Sequence, residues 1–540
     1  MVWSSYAHGT SDVPLLGETV GANLDRTVER LPDVEALVSR HQDVRLTYAQ
    51  FGATVDLVAR GLLAFGVAPG DRVGVWSPNN VEWVLVQYAV AKVGAVLVSV
   101  NTAYRHRELQ YVLQQSGTRL LFAAESVKSP DYRDVIDGVL HDLDRLERVL
   151  HIGSGDWDDL LSAGEAVPMD ALRARSAGVQ FDDPVNIMFT SGTTGAPKGV
   201  TVSHHASVNN GDVLAERCGY SQHDRVCLPL PFHHGFGNVC GNIACTTHGA
   251  CIVIPGPTFD PGDVLDAVQA ERCTSLYGVP TMFLAELSHP AFDRYDLSSL
   301  RTGLMGGSPC PRELMDQVVS RMHIAQIAVG YGMTETMVTT LTSPDDAVER
   351  RVSTVGPALP HVELKIVDPN DRTTVVPRGV PGELCARGYS NMLGYWDDDA
   401  ATNALMGRGR WLHTGDLAVM DDDGYLQIVG RIKDMIIRGG INVDPGEIEN
   451  FLLTHPDIAD VAVVGVPDPE YGEHVLACIR PVPGASVTQD DVRAYCDGRI
   501  AYFKVPYYIQ FVDAFPMTVT GKIQKFKIRE RAISELDLAV

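Results

Sequence analysis

Residues 190–201 read TSGTTGAPKGVT, a run of small and hydroxylated residues that contains a single lysine. Glycines let a backbone curl so that several N–H groups point at one anion, while hydroxyl groups and a lysine add further donors and positive charge. A Walker-type phosphate loop is excluded, because Lys198 follows Pro197 and the spacing G-x-x-x-x-G-K-[ST] is not met. Composition alone leaves two possibilities, a phosphate-binding loop and a flexible connection.

The apolar runs on either side of this segment, VNIMF and GVTV, have the composition of strands. We therefore expect the segment to join two strands. This context also differs from that of a Walker loop, which runs into a helix N-terminus.

Four later stretches carry polar and charged residues among glycines and threonines: YGMTE at 331–335, LHTGDLAVMDDDGY at 412–425, GRIKDMIIRGG at 430–440 and PMTVTGKIQK at 516–525. Together with TSGTTGAPKG, and in this order, they resemble the adenylate-forming (ANL) superfamily, in its branch of acyl-CoA synthetases and fatty-acid–CoA ligases. NTAYRHREL, PLPFHHGFGN and GPALPHVELKI strengthen the resemblance, which extends over essentially the whole chain. Each motif is moderately specific, and five in register make coincidence negligible.

The resemblance implies an ATP-dependent acyl-CoA ligase of the AMP-forming, acid–thiol type. Such enzymes use Mg²⁺ to condense a carboxylate with ATP, giving an acyl adenylate and pyrophosphate, and then pass the acyl group to coenzyme A. The first step brings an anion to a polyanion. Two like unit charges about 4 Å apart repel by roughly 1 kcal/mol in water and about 4 kcal/mol at an effective dielectric near 20, so placed cations must cancel the repulsion.

The resemblance implies three catalytic residues. Lys522 matches the lysine that bridges the substrate carboxylate and the α-phosphate, and Glu335 matches the glutamate that binds Mg²⁺. His234 lies in the segment where relatives bring the acyl carboxylate to the thiol entrance, and it is preferred over His233. The residues alone leave open a solvated surface lysine, a turn carboxylate and a structural histidine.

Residues from several motifs are implied in nucleotide binding. Asp416 matches the ribose-binding aspartate, since a carboxylate accepts two hydroxyl donors side by side, and Thr194 is a second candidate beside Mg²⁺. Ser308 does not form a nucleophile elbow, because Cys310 stands where G-x-S-x-G requires glycine. The full set of phosphate-, adenine- and ribose-binding candidates is Thr190, Ser191, Gly192, Thr193, Thr194, Gly195, Lys198, Gly307, Ser308, Tyr331, Gly332, Thr334, Asp416 and Arg431.

The second half-reaction requires a different set of groups. In the superfamily a small domain rotates about the position of Lys433 and brings Arg438, Gly439 and Gly440 to a pantetheine tunnel. This chain reads RGGINVDPGEIE where many relatives read RGGENIYPREIE, which leaves the thiol acceptor open. An acyl-AMP ligase that loads a carrier protein, or an enzyme specialised for one half-reaction, would share the other motifs. A nucleotide-binding protein with a dead site would be expected to lack the catalytic lysine or glutamate, and both are present.

The sequence indicates only the size and polarity of the acyl substrate. Gly235, Gly237 and Gly241 leave room in the expected pocket, and Phe236 and Val239 are apolar. A bulky hydrophobic acid is therefore favoured over acetate, with medium-chain fatty, aryl and polycyclic acids all open.

The elements that must position these residues follow from apolar periodicity. Helical and strand-like runs alternate over 47–125 and again over 250–322, which predicts two parallel sheets covered by helices. Short strands with turn signals begin near Val362, and a helix–strand pattern returns after Lys433. We expect an α/β N-terminal AMP-binding domain over residues 1–432, with two α/β sheet subdomains and a small β subdomain, and a mobile C-terminal α+β domain over 433–540.

Composition excludes other classes. The chain has 540 residues, of which 45% are hydrophobic, and a net charge of −24, which disfavours nonspecific binding to nucleic acid or an anionic membrane. The ten cysteines form no C-x-x-C pair, the N-terminus lacks a secretory signal pattern, and the most apolar stretch, 81–100, is interrupted by charged residues. We expect a cytoplasmic protein without an integral membrane segment, while the oligomeric state stays open.

Overall fold

The computed structural model groups the chain into two compact units. The larger unit comprises Ala7–Leu364 and Ala386–Leu412, and the smaller unit comprises Met1–Tyr6, Lys365–Cys385 and His413–Val540. The residues that the structure describes are 3–125, 132–190, 197–308, 310–438, 441–468, 471–497, 499–500, 502–517 and 523–538.

The strands are numbered in chain order. They are β1 (Tyr6–His8), β2 (Glu35–Ser39), β3 (Val44–Thr47), β4 (Arg72–Trp76), β5 (Val96–Ser99), β6 (Leu120–Ala124), β7 (Arg148–Ile152), β8 (Pro184–Thr190), β9 (Lys198–Ser203), β10 (Arg225–Cys227), β11 (Cys251–Ile254), β12 (Ser275–Gly278), β13 (Thr302–Gly306), β14 (Gln326–Met333), β15 (Met337–Leu341), β16 (Val362–Val367), β17 (Gly382–Gly388), β18 (Gly394–Tyr395), β19 (Leu412–Met420), β20 (Leu426–Arg431), β21 (Ile436–Arg438), β22 (Ile441–Val443), β23 (Ile458–Asp468), β24 (Gly472–Pro481) and β25 (Tyr508–Phe511).

The helices are numbered in the same way. They are α1 (Val20–Arg30), α2 (Tyr48–Ala64), α3 (Val81–Lys92), α4 (His106–Ser116), α5 (Tyr132–Asp137), α6 (Gly155–Glu165), α7 (Met169–Ser176), α8 (His204–Arg217), α9 (Gly235–Gly237), α10 (Ala244–His248), α11 (Pro261–Glu271), α12 (Pro280–Leu287), α13 (Arg312–Arg321), α14 (Val348–Ser353), α15 (Asp399–Leu405), α16 (Pro445–Leu452), α17 (Gln489–Cys496) and α18 (Lys525–Glu535). A π-helical segment, Asn238–Ile243, joins α9 to α10.

The larger unit contains a seven-stranded sheet in the order β18-β9-β8-β5-β4-β6-β7. Strands β4 to β8 pair in parallel, whereas β9 pairs antiparallel with both β8 and β18. Strand β5 reads VLVS and is buried along its whole length, as expected for a parallel strand covered by helices on both faces. The first predicted α/β subdomain is confirmed.

The same unit contains an eight-stranded sheet in the order β15-β14-β13-β12-β10-β11-β2-β3. Its central strands are parallel, and antiparallel pairs, β14–β15 and β2–β3, close its two edges. One face packs on α11, α12 and α13 through Val264, Phe283 and Met315, which are all buried. The second predicted α/β subdomain is therefore also confirmed.

The smaller unit contains a mixed sheet in the order β22-β21-β24-β23, with β25 added parallel to β24. Apolar residues cover both faces of this sheet, because α16 and α17 contribute Ile448 and Val492 to one core cluster and α18 contributes Ile528 to another. In the same unit β19 and β20 form an antiparallel hairpin. This α+β arrangement agrees with the expectation for the C-terminal part of the chain.

The domain boundary expected between residues 432 and 433 stays a prediction. Strands β16, β17 and β19 each contain a boundary of the compact units. Among the described residues, no helix is both long enough and apolar enough to cross a membrane.

Candidate active site

The hairpin between β14 and β15 carries Glu335 at the carboxyl edge of the eight-stranded sheet. Thr336 closes the turn, because its backbone N–H donates to the Met333 carbonyl at 3.1 Å and its hydroxyl accepts from the Met333 N–H at 3.3 Å. Gly332 stands where the two strands approach most closely, since a Cβ atom there would lie 2.1 Å from the Met337 carbonyl oxygen. Ligands of open α/β sheets bind at this edge, so the hairpin places a carboxylate where a substrate is expected.

The Glu335 carboxylate is buried and lies close to the other sheet of the same unit. The Tyr395 hydroxyl donates to Glu335 Oε1 at 2.8 Å, and the Met392 N–H donates to the Glu335 carbonyl at 2.8 Å. Burial, and then the negative charge of Glu335, raise the pKa of Tyr395, so the phenol keeps its proton and remains a donor.

Lys198 lies over the ring of the same tyrosine. Its Nζ atom is 5.0 Å from the centroid of the Tyr395 ring. The structure therefore brings one carboxylate and one ammonium group to a single aromatic side chain. Mg²⁺ in nucleotide sites is held by one or two carboxylates and by phosphate oxygens, and the buried Glu335 oxygen ligand beside a lysine fits that requirement.

The two ends of the TSGTTGAPKG segment face each other across a strand pair. Thr190 ends β8, Lys198 begins β9, and the two residues are paired in the antiparallel register. The prediction that this segment joins two strands is confirmed. Its central residues, Ser191, Gly192, Thr193, Thr194 and Gly195, lie outside the described part of the chain.

Other nucleotide candidates of the larger unit lie at the ends of β13 and β14. Gly307 and Ser308 directly follow β13 and are exposed, and Gly307 has a φ of +88°, which favours glycine. Tyr331 is half-buried near the end of β14, and Thr334 is half-buried in the turn before Glu335. The parallel register of β13 and β14 brings these backbone segments to one edge.

His234 stands at the start of α9, where it caps the helix. Its Nδ1 atom accepts the Phe236 N–H at 3.1 Å, so in the neutral ring the proton is on Nε2. The residue is exposed, and desolvation by the surrounding protein lowers the pKa of its imidazole. His234 is thus a neutral side chain with one donor available to a bound group.

His233 has a different environment. It is buried, its Nε2 atom has no hydrogen-bond partner among the described residues, and burial lowers its pKa to about 3, with His234 contributing further. Asn79, which follows β4 of the seven-stranded sheet, holds the backbone just before His233. Its side chain donates to the Leu230 carbonyl at 2.8 Å and accepts the Phe232 N–H at 2.9 Å. Of the two histidines, His234 is exposed and His233 is buried.

The smaller unit carries the ribose candidate. Asp416 on β19 is paired in register with Arg431 on β20, and Arg431 Nε lies 2.8 Å from Asp416 Oδ1. The Asp416 side chain is 5% exposed, and the Arg431 guanidinium group compensates its buried negative charge. A ribose hydroxyl would therefore meet a carboxylate whose orientation is already fixed by an arginine.

A buried ion-pair network that the sequence did not indicate lies beside the strand of Asp416. His413 Nδ1 is 2.9 Å from Glu383 Oε2, and Arg372 donates to both oxygens of Glu383, at 2.9 and 3.2 Å. Cys385 Sγ lies 3.3 Å from His413 Nδ1, which completes a trio of possible metal ligands, Glu383, Cys385 and His413. Since Arg372 already occupies both carboxylate oxygens, we interpret the trio as a support for β19.

The structure describes only some of the residues that were predicted for the second half-reaction. Lys433 lies in a short 3₁₀ turn after β20, and Arg438 ends β21, where it donates to the Phe503 carbonyl at 2.8 Å. Gly439, Gly440 and the catalytic candidate Lys522 lie outside the described residues.

Asp444, one of the departures from the common motif, has a structural role. Its side chain caps α16 by accepting the Gly446 N–H at 2.9 Å, and Pro445 occupies the first turn.

Comparison with known proteins assigns these features to a family. Residues 24–396 match the AMP-binding enzyme family, and residues 447–522 match the AMP-binding enzyme C-terminal domain. The chain belongs to the AMP-binding enzyme family.

Relatives of this AMP-binding enzyme span its whole length. YngI of Bacillus subtilis (strain 168), by name an acyl-CoA synthetase, is 46% identical over 97% of this chain and 99% of its own. The mitochondrial medium-chain acyl-CoA ligase ACSF2 of Danio rerio is 43% identical over 99% of this chain and 92% of its own. Among solved structures, the anthranilate CoA ligase AuaEII in complex with anthranoyl-AMP aligns with a TM-score of 0.86 at 28% identity, covering 98% of this chain and 99% of that chain.

These similarities establish the class of the enzyme. The protein is an AMP-forming acid–thiol ligase of the acyl-CoA synthetase family, a family that acts on carboxylic acids with ATP and CoA.

The close approach at Gly332 gives a first prediction for this AMP-binding enzyme. Gly332→Ala would place a Cβ atom against the Met337 carbonyl, a backbone atom that cannot move without opening the hairpin. We expect a loss of about 1–3 kcal/mol in unfolding free energy, together with reduced ATP-dependent activity. Gly17→Ala is the control, because no atom lies within 4 Å of a Cβ at that position. Equal stability of the two variants in chemical denaturation would contradict the prediction.

The Glu383 network gives a second prediction. Burial alone would raise the pKa of Glu383, but hydrogen bonds from His413 and Arg372 outweigh it and lower the pKa. Glu383→Gln should therefore cost about 1–3 kcal/mol of unfolding free energy at pH 7. The difference from wild type should be complete above the unfolded-state pKa of about 4.3 and should vanish as the pH falls through the lower folded-state value.

The control for this experiment is Glu447→Gln, which removes a half-exposed carboxylate paired with Lys504 in the same unit. Pairs of this kind contribute about 0–1 kcal/mol. A Glu383→Gln variant no less stable than Glu447→Gln in urea titrations at pH 7 would show that the network does not support the unit.

Proposed function

We propose that this enzyme uses ATP and Mg²⁺ to activate a bulky hydrophobic carboxylic acid as its acyl adenylate and then transfers the acyl group to CoA. The observation that carries the proposal is the arrangement of Glu335, Tyr395 and Lys198, in which a buried carboxylate and a cation meet at one phenol. This arrangement provides an oxygen ligand for a metal and a positive charge for a phosphate within one unit of the structure.

The first half-reaction requires that negative charge be cancelled and held. Glu335 would hold Mg²⁺, and the bound ion would neutralise charge on the triphosphate and polarise its phosphorus–oxygen bonds. Lys198 would bind the phosphates together with the hydroxyl and backbone N–H groups of the 190–196 segment, and Lys522 would follow the carboxylate as it attacks the α-phosphate. Groups fixed before the reaction stabilise developing charge without reorganising.

His234 and Asp416 would orient the two substrates. The Nε2–H of neutral His234 is a donor for the acyl carboxylate or carbonyl oxygen, and its capping bond to Phe236 holds the ring in place. Asp416 would accept the ribose hydroxyls, while Arg431 keeps the buried carboxylate compensated. Alignment of this kind can contribute roughly 7–11 kcal/mol to an otherwise bimolecular reaction.

For the second half-reaction we propose a hinge at Lys433, between domains 1–432 and 433–540, and a pantetheine path along Arg438, Gly439 and Gly440. The thiol attacks an activated anhydride, so alignment contributes more than a strong base. The names of the relatives favour CoA as the acceptor over a carrier protein.

The proposed acyl pocket is lined by apolar groups near α9. The Phe236 ring lies 5.9 Å from the Tyr277 ring, centroid to centroid, and a Cβ atom on Gly306 would be 3.9 Å from it. A Cβ atom on Gly235 would lie 3.4 Å from the side chains of both Met188 and Met337. Flexible methionines and an aromatic ring suit an apolar acyl group, and the ACSF2 relative favours a medium-chain acid.

The proposed function is tested by pyrophosphate release. Wild-type enzyme with ATP, Mg²⁺ and a panel of fatty and aryl acids should release pyrophosphate, and CoA should convert the acyl adenylate to thioester. Glu335→Gln should slow pyrophosphate release about 100-fold or more, since it removes a charge-stabilising group from the transition state.

A matched control is Glu313→Gln, which changes an exposed glutamate in the first turn of α13. Pyrophosphate release without thioester would limit the enzyme to one half-reaction, and no release with any acid would refute the proposal.

Phe236 gives a prediction about substrate size. Phe236→Ala removes the ring that lies against Tyr277 and Gly306, so kcat/KM should shift by about 10-fold towards longer or wider acids. Phe181→Ala, at an exposed phenylalanine, is the control and should keep the wild-type profile. An unchanged ranking of acids in the Phe236→Ala variant would show that this ring does not line the acyl site.

A further inference from the structure

Tyr395 belongs to a short segment that is fixed to the strand of Lys198. Gly394 and Tyr395 pair with Thr201 and Val200 of β9, and the Trp396 N–H donates to the Gly199 carbonyl at 2.7 Å. The Tyr395 N–H itself donates to Thr402 Oγ1 at 2.8 Å. The backbone of Tyr395 is therefore held on both sides.

The same segment also holds the Glu335 turn. The Met392 N–H binds the Glu335 backbone carbonyl, and the Tyr395 hydroxyl binds the Glu335 carboxylate, each at 2.8 Å. One bond fixes the main chain and the other fixes the rotation of the carboxylate. Glu335 is thus oriented by a segment that pairs with β9, the strand of Lys198.

The ring of Tyr395 has a second contact, with the Lys198 ammonium group 5.0 Å from its centroid. A cation within about 6 Å of an aromatic face is attracted by the ring quadrupole. The hydroxyl of Tyr395 therefore contacts a carboxylate and its ring contacts a cation. Mutation can remove the first contact without the second.

We propose that Tyr395 is a positioning residue that orients Glu335 for Mg²⁺ through its hydroxyl and retains Lys198 near the phosphates through its ring. The inference rests on the proposed role of Glu335 as a metal ligand. Groups that hydrogen-bond a metal-binding carboxylate fix its orientation, and their loss typically weakens metal affinity or activity by 10–100-fold.

The two contacts predict different results for two substitutions. Tyr395→Phe removes the hydroxyl and keeps the ring, so Mn²⁺, used as a paramagnetic probe, should bind about 10-fold more weakly in the presence of ATP. The affinity for ATP without a divalent ion should stay within 2-fold of wild type, because the ring still faces Lys198. Tyr395→Leu removes both contacts, so the affinity for metal-free ATP should also fall.

The measurement is electron paramagnetic resonance of bound Mn²⁺ on the full-length enzyme, together with the Mg²⁺ dependence of pyrophosphate release. In Tyr395→Phe the Mg²⁺ concentration for half-maximal rate should rise about 10-fold, with the maximal rate largely recovered at high Mg²⁺. A purely structural role would lower the rate equally at every Mg²⁺ concentration. Tyr132→Phe is the matched control, since it removes a buried tyrosine hydroxyl that donates to the Thr102 carbonyl.

Glu335→Gln distinguishes failure of this inference from failure of the proposed function. If Glu335→Gln weakens Mn²⁺ binding and Tyr395→Phe does not, the positioning role of Tyr395 is refuted and the metal role of Glu335 stands. If neither variant changes Mn²⁺ binding, the metal role of Glu335 is refuted, and the inference is refuted with it.

Discussion

The hydrogen bond between the Tyr395 phenol and the Glu335 carboxylate is the contact on which the geometry of the larger unit depends. Glu335 stands on a hairpin of the eight-stranded sheet, whereas Tyr395 stands on an edge strand of the seven-stranded sheet. A buried carboxylate needs hydrogen-bond donors, and one donor comes here from the neighbouring sheet. This hydrogen bond thus links the edges of two sheets, and with them the candidate metal ligand and the candidate phosphate cation.

Electrostatics in this protein is local. The chain carries a net charge of −24, yet it belongs to a family that uses ATP, a polyanion. At physiological ionic strength exposed charges are screened beyond about 8 Å, so distant surface carboxylates contribute little. Pairs such as Arg431 with Asp416, and clusters such as Arg372, Glu383 and His413, compensate buried charge at close range.

The sequence predicted most of the architecture, because buried parallel strands and amphipathic helices each have a characteristic spacing of apolar residues. Motif order identified the family, and the strands around Thr190 and Lys198 were expected from their flanking residues. Tyr395 was missed, since it meets Glu335 across 60 positions and only after a two-residue strand has formed.

The Glu383 network was also missed because its members are distant in the sequence: His413 and Glu383 are 30 positions apart. The histidine of the HTGD motif was the one residue of the network that the sequence could have indicated. Asp444 was noticed only as a departure from a motif. An aspartate followed by proline at a helix start is also the pattern of an N-cap, and that is its role here.

The π-helical segment Asn238–Ile243 has a consequence for how this enzyme could diverge. A π-turn contains one residue more than an α-turn and arises as a local insertion within a helix. Its C-terminal end packs tightly on α8, where a Cβ atom on Gly211 would lie 2.9 Å from the Ile243 side chain, while its N-terminal end leads into α9. The extra residue of the wide turn therefore separates the framework contact at Ile243 from the end where the proposed acyl-site residue Phe236 lies, so a substitution at Phe236 would leave that framework contact in place.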